Sequence, residues 1–190
     1  MNTNLCNMFI SCFFVAFTTF CFSFILFYIR YLYYTKKNHK FAAKEGFSMK
    51  IKQITTKEQL EEVFHIRKTV FVEEQGVPLK DEFDEHEKTA KHMLIYYNNE
   101  PAASGRFRIV DDYAKIERIC VLKEFRKYGL GKEVVASLEE AAKKEGLTQA
   151  KLHGQVQAEP FYHKLGYKTV SDVFMEDGIP HVIMKKEFSY

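Results

Sequence analysis

The stretch that most restricts the fold runs from Val121 to Glu145. A strand-like segment, Ala114–Val121, ends in a short loop holding Arg126, Lys127, Gly129 and Gly131, and a helical pattern begins at once. Over residues 129–145, Leu130, Val134, Val135, Leu138, Ala141 and Ala142 form one apolar face. Lys132, Glu133, Glu139, Glu140, Lys143 and Lys144 form the other, and Gly146 suits the C-cap. A strand that feeds straight into such a helix needs a sheet for the helix to cover. The class is therefore α/β, in layers.

The neighbouring pattern supplies that sheet. Lys50–Ile54 reads as a first strand, followed by a capping-box spacing from Thr55 to Glu58. Leu60, Val63, Phe64, Arg67, Val70 and Phe71 then recur at helical spacing, and Gly76 and Pro78 stop the run. Residues 80–88 form an acidic loop. His92–Tyr97, Ala102–Val110 and Ala114–Val121, with turns at 98–101 and 111–112, predict an antiparallel meander. Lys151–Val156 predicts a strand and Ala158–Leu165 a short helix. Gly166–Phe174 and His181–Lys186 predict closing strands around an Asp177-Gly178 turn.

The other end of the chain differs in kind. Met8–Ile29 is a run of 22 residues without charge, eight of them Phe. As a helix rising ~1.5 Å per residue it would span a ~30 Å hydrocarbon layer. Lys36, Lys37, Lys40 and Lys44 follow it, and no Lys or Arg precedes Arg30. The positive-inside rule then places the remainder in the cytoplasm. A second reading starts translation at Met49, since Lys44-Glu45-Gly46 is what a purine-rich ribosome-binding site yields in frame. The first reading predicts a single-pass membrane protein with a cytoplasmic domain, the second a soluble cytoplasmic one. The segments are 1–34 (apolar), 35–48 (basic linker) and 49–190 (one domain). That domain holds 23 Lys/Arg against 24 Asp/Glu. Such balance argues against a nucleic-acid binder, which needs a basic face. With Cys120 as its single thiol, the domain cannot form an internal disulfide. Cys120 reads as a buried strand cysteine rather than a nucleophile. The seven histidines show no metal-ligand spacing, so no metal is expected.

The loop carries the chemistry. A helix's first turn offers free N–H donors and a partial positive charge. Gly129 and Gly131 lack Cβ, letting ligand oxygens reach the backbone. With Arg126 and Lys127 beside them, the four residues describe a pyrophosphate cradle, although a plain loop and helix start would also fit Arg-x-x-Gly-x-Gly. The spacing is neither a Walker loop nor a dinucleotide fingerprint.

With a second motif, Ala158-Glu159-Pro160-Phe161-Tyr162-His163-Lys164-Leu165-Gly166-Tyr167, the domain resembles the GNAT N-acetyltransferase superfamily over 49–190. Val70–Pro78, Glu82-x-Asp84, His92, Gln155 and 177–181 are similar to its ElaA/YjcF-like branch. The chain departs from ElaA at Gln157, where that protein has His. The resemblance implies a GNAT-like acyl-CoA N-acyltransferase fold: a mixed, mostly antiparallel sheet flanked by helices, preceded here by the apolar helix. It implies acetyl-CoA as cosubstrate, gripped by Arg126, Lys127, Tyr128, Gly129, Leu130 and Gly131. It also implies that Ile119, Cys120 and Val121 offer backbone groups where strands splay. Tyr162 becomes the proton donor to the departing sulfur. Glu117 is either the base or a strand glutamate paired with Arg106 or Arg108.

Glu74, Glu82 and Asp84, with Gln155, His92 and His181, are candidates for the acceptor, a cationic amine if those acids face it. A solvated acidic loop is the alternative. The partners implied are acetyl-CoA and an amine acceptor, with a homodimer left open and membrane lipid only if residues 8–29 are translated. Two other readings stand beside the enzyme: an acyl-CoA sensor without turnover, and an acyl-homoserine-lactone synthase suggested by Phe71 and Glu82-x-Asp84.

Overall fold

The computed structural model describes residues 47–189; the expected apolar helix and most of the basic linker lie outside them. Among the described residues, eight strands form one sheet. In chain order they are β1 (Met49–Gln53), β2 (Lys91–Tyr97), β3 (Glu100–Val110), β4 (Tyr113–Val121), β5 (Gln149–Gln155), β6 (Lys168–Thr169), β7 (Phe174–Glu176) and β8 (Ile179–Glu187). Their spatial order is β1-β2-β3-β4-β5-β8-β6, with β7 also on β8. All pairs are antiparallel except β4 with β5. The predicted meander is present as β2-β3-β4. Its turns use Asn98 (φ 53°), Asn99 (φ 66°) and Asp111 (φ 51°), residue types that tolerate left-handed backbone.

Helix α1 (Lys57–Arg67) widens into a π-helical segment, Lys68–Glu74, and is followed by the single turn α2 (Leu79–Glu82) and a 3₁₀ turn, Glu85–Lys88. The cap lies one residue later than the sequence spacing indicates. Thr56 Oγ1 accepts from Gln59 N (3.3 Å), while Gln59 Oε1 accepts from Thr55 N (3.1 Å). The long helix α3 (Leu130–Lys144) and the short α4 (Glu159–Lys164) complete the set.

The predicted closing strand 166–174 is split into β6 and β7. Ser171 Oγ accepts the amide of Ile183 (2.8 Å), so a side chain replaces the ladder there and the backbone departs.

Helices cover both sheet faces. Leu130, Val134, Val135 and Leu138 of α3 pack on Ile95, Phe107, Ile116, Leu152 and Met184. Val63, Ile66 and Val70 pack on Leu94, Cys120 and Leu122 on the opposite face. α3 comes close because Gly105 has no side chain. A Cβ there would lie 2.6 Å from Val134 Cγ1 and 2.9 Å from Leu138 Cδ1.

Phe47 and Ser48, assigned above to the linker, join the domain. Phe47 stacks on Tyr97 (5.9 Å), and Asn98 N donates to Ser48 O (2.8 Å). Among the described residues, no helix is long and apolar enough to cross a membrane.

Candidate active site

The parallel pairing of β4 with β5 lasts for three residues, Ala114 to Ile116 against Ala150 to Leu152. Beyond Ile116, β4 bulges: its register with β3 slips between Ser104 and Arg106, and Arg118 takes φ 56°. A bulge of this kind bends a strand and releases backbone groups. The result is a wedge between β4 and β5, with a cleft of about 190 Å³ lined by Ile119, Leu152, His153, Gln155 and Tyr162 among others.

Antiparallel alternation decides which backbone groups face the wedge. Leu122 N donates to Ala102 O (3.0 Å), so Cys120 opposite Ser104 also turns its backbone toward β3, while Ile119 and Val121 turn toward the gap. Cys120 therefore does not offer the amide expected of it. Its side chain is buried near Ser104 Oγ (3.4 Å), and burial pushes the thiol up to about 12. It is inert as a nucleophile.

At the wedge's outer end the loop 123–128 coils as 3₁₀ helix into α3. Gly129 adopts φ 75° and caps that helix, so its identity is set first by the backbone it must adopt. Gly131 is different. A Cβ there would meet the Phe161 ring at 3.5 Å, an ordinary contact, so its value lies in the open approach to the first turn. Arg126 donates to Val121 O (3.0 Å) and Glu74 (2.5 Å), which fixes the loop to the end of the π-helical segment. Glu74 thus serves the loop, and it does not line the cleft. Tyr128 stacks on Tyr97 (4.4 Å) with Lys127 Nζ 5.4 Å from its ring centre. Leu130 points into the core, leaving only its backbone at the cradle.

Three carboxylates of the acidic loop, Glu82, Asp84 and Glu87, are engaged by arginines, while Asp81 and Glu85 stay exposed to solvent; of the three, Glu82 alone lines the cleft. Glu82 accepts from Arg67 (2.6 Å) and contacts Arg118 (3.1 Å); Glu87 accepts from Arg67 (2.8 Å) and Arg106 (2.8 Å). Asp84 takes both terminal nitrogens of Arg106, at 2.9 and 2.5 Å. Those hydrogen bonds hold its carboxyl well below the usual range. His92, expected at the acceptor, is buried with Nε2 against Glu87 O (3.1 Å), and desolvation lowers its pKa. Neither Asp84 nor His92 lines the cleft.

Glu117 does line it, in company. It accepts from Arg108 (2.7 and 2.9 Å), Arg106 (3.0 Å) and Lys115 (3.0 Å). Burial alone would raise its carboxyl; the Arg108 hydrogen bonds and the Arg106 and Lys115 charges override this and hold it near about 2. Such a carboxylate is a feeble proton acceptor. Its pairing reading is the one the geometry displays, although the residue is half-buried rather than exposed.

The opposite wall carries less constrained groups. Tyr162 is 9% exposed, burial pushes its phenol up to about 12, and its hydroxyl makes no hydrogen bond among the described residues. Gln155 Nε2 donates to Gln75 Oε1 (3.0 Å), and His181 Nδ1 lies 2.8 Å from Ile179 O. Both line the cleft, as expected, as do four residues not singled out above: Lys115, Arg118, His153 and Glu176. The alternation of β5 contained the signal for His153, since Ala150, Leu152 and Gly154 are buried while Lys151, His153 and Gln155 share the other face. Among the described residues, no cluster of three or more His, Cys, Asp or Glu could hold a metal ion.

Comparison with known proteins agrees with this geometry. Residues 45–188 match the family described as an acetyltransferase (GNAT) domain. The Bacillus subtilis protein YyaT is 56% identical over 144 residues, covering 74% of this chain and 97% of its own. The B. subtilis N-acetyltransferase YjcF is 44% identical over 131 residues, covering 68% and 94%. The crystal structure of Escherichia coli ElaA superimposes with a TM-score of 0.65 at 26% identity, covering 74% of this chain and 99% of ElaA. A wedge between two parallel strands, an open helix N-terminus and these relatives agree: the chain belongs to the GNAT acetyltransferase family.

Proposed function

We propose that the protein is an acetyl-CoA-dependent N-acetyltransferase that moves the acetyl group directly to an amine of a small molecule or protein. The observation that carries this reading is the wedge beyond Ile116 and Leu152, which runs beside the start of α3 and contains an unbonded phenol. The cradle fits a pyrophosphate: Gly131 leaves its approach open, and the first turn of α3 has N–H groups with no intrahelical acceptor.

Bound acetyl-CoA supplies the thioester carbon. Arg126, Lys127 and the leading amides of α3 hold the diphosphate, and Ile119 and Val121 turn peptide groups toward the thioester arm. An N–H among these stabilises the oxyanion. The amine nitrogen bonds to the carbonyl carbon and the carbon–sulfur bond breaks. Tyr162 gives its hydroxyl proton to the sulfur as the nitrogen's surplus proton returns to the phenolate. Cys120 has no part, so no acyl-enzyme forms.

Two measurements test the reading. Calorimetric titration with acetyl-CoA should show binding that Gly131→Glu abolishes through clash and repulsion. Thiol release above hydrolysis with any member of an amine panel should accompany it. Binding without turnover would favour a sensor, and lactone formation from an S-adenosylmethionine donor would point to the synthase.

A further inference from the structure

The hairpin of β7 and β8 turns at Asp177 (φ 50°) and Gly178 (φ 75°) and brings Glu176 over the face of β5. There both Glu176 carboxylate oxygens lie 3.1 Å from His153 Nδ1. Phe174 forms a T-shaped contact with the same imidazole, 5.2 Å between ring centres at 81°. A carboxylate can only accept, so Nδ1 carries the hydrogen and the neutral ring keeps its lone pair on Nε2. No described residue occupies Nε2, and His153 lines the cleft shared by Ile119 and Tyr162. The hydrogen bond from His153 in turn holds the Glu176 carboxyl below its usual range. An imidazolium formed at His153 would therefore sit against a ready anion.

We propose that His153, oriented by Glu176, takes the proton from the acceptor ammonium. This rests on the N-acetyltransferase reading and assigns the proton-accepting step that Glu117, bound by three cations, is badly placed to perform. An alkylamine arrives with a proton because its pKa is near ~10. One ammonium proton passes to His153 Nε2 and then to solvent. The freed lone pair forms the carbon–nitrogen bond, the thiolate leaves, and the second nitrogen proton follows the route through Tyr162 given above. The sum is ammonium plus thioester to amide, thiol and one released proton. His181, whose Nδ1 faces the neutral Ile179 carbonyl, is hydrogen-bonded to no carboxylate, although it lies within electrostatic reach of Glu176. Lys115 and Glu117 on β4, Asp177 at the turn and His181 on β8 are the other charged or titratable groups around the pair.

The experiment uses the full chain, acetyl-CoA and a panel of primary amines (a monoamine, a diamine and lysine), reading released thiol from pH 6 to 10. His153→Gln should lower kcat/KM for the amine about 100-fold or more at neutral pH while leaving acetyl-CoA affinity unchanged. That loss should shrink as pH rises toward the amine's own pKa, where solution supplies the free base. Glu176→Gln should cost about 10-fold in kcat/KM and release the ring from its fixed Nδ1–H tautomer. A loss under about threefold for His153→Gln, or one that is constant with pH, overturns the proposal. Long-range proton–nitrogen NMR of the ring gives a readout independent of any acceptor. The Nδ1–H tautomer is the required result, and an Nε2–H tautomer overturns the assignment even if no amine in the panel turns over.

Discussion

Two walls of one cleft use charge in opposite ways. On the wall built by α1, α2, β3 and β4, the cations Arg67, Arg106, Arg108, Lys115 and Arg118 interlock with Glu82, Asp84, Glu87 and Glu117. Arg67 and Arg106 are each about 1% exposed there. On the wall built by β5, α4 and the β7–β8 hairpin, Glu176 is 43% exposed at its side chain, Asp177 makes no ion pair among the described residues, and the Tyr162 hydroxyl and His153 Nε2 keep unused hydrogen-bonding capacity. The first wall is a lattice whose charges are satisfied; the second is a set of groups still available to a substrate. Acidic residues close in sequence are thus a poor guide to where a cation would be received.

The contrast predicts that lattice variants lose stability and hairpin variants lose turnover. Arg67→Met should make the largest difference, about 3–5 kcal/mol in urea unfolding, because buried Glu82 and half-buried Glu87 would be left with fewer partners. A loss below about 1 kcal/mol would break the comparison. Gly131→Glu comes next, about 100-fold or more in acetyl-CoA affinity, whereas Gly131→Ala should change it little because its Cβ meets ordinary contacts. Glu117→Gln should cost about 1–3 kcal/mol and, more usefully, do so in a pH-dependent way. A carboxyl held down at about 2 adds stability above its unfolded value of 4.5, and that stability disappears as pH falls through the folded value. Wild type and Glu117→Gln should therefore converge between about pH 5 and 2 in acid unfolding. Smallest is Glu176→Gln, within about 0.5 kcal/mol, since a half-exposed pair contributes little. A larger loss of stability there would mean that the hairpin is structural after all.

Legibility from sequence followed the same divide. The α3 stripe, the meander and the Asn98-Asn99 and Asp177-Gly178 turns were readable because each is set by local periodicity or by residues that tolerate left-handed backbone. The glycine loop running straight into α3 was readable for the same reason: loop and helix are contiguous. Asp84 and His92 fall outside the cleft: Asp84 is drawn to Arg106 across 22 residues, and His92 is buried against the Glu87 carbonyl five residues before it. His153 and Glu176 were missed for the converse reason. Strand alternation put His153 on the right face, but its carboxylate arrives only when a turn 24 residues later folds the hairpin back. The π-helical widening of α1 has no local signal that we can identify.

A single hydrogen atom, the side chain of Gly105, acts as the spacer between layers. The helix resting on it begins at the glycine loop, and the next residue on the strand is Arg106, the hub of the charged wall. Adding one methyl would lever the helix outward and disturb both ends of that lever together. Attempts to broaden the acceptor range should therefore remodel the hairpin rim and leave this fulcrum alone.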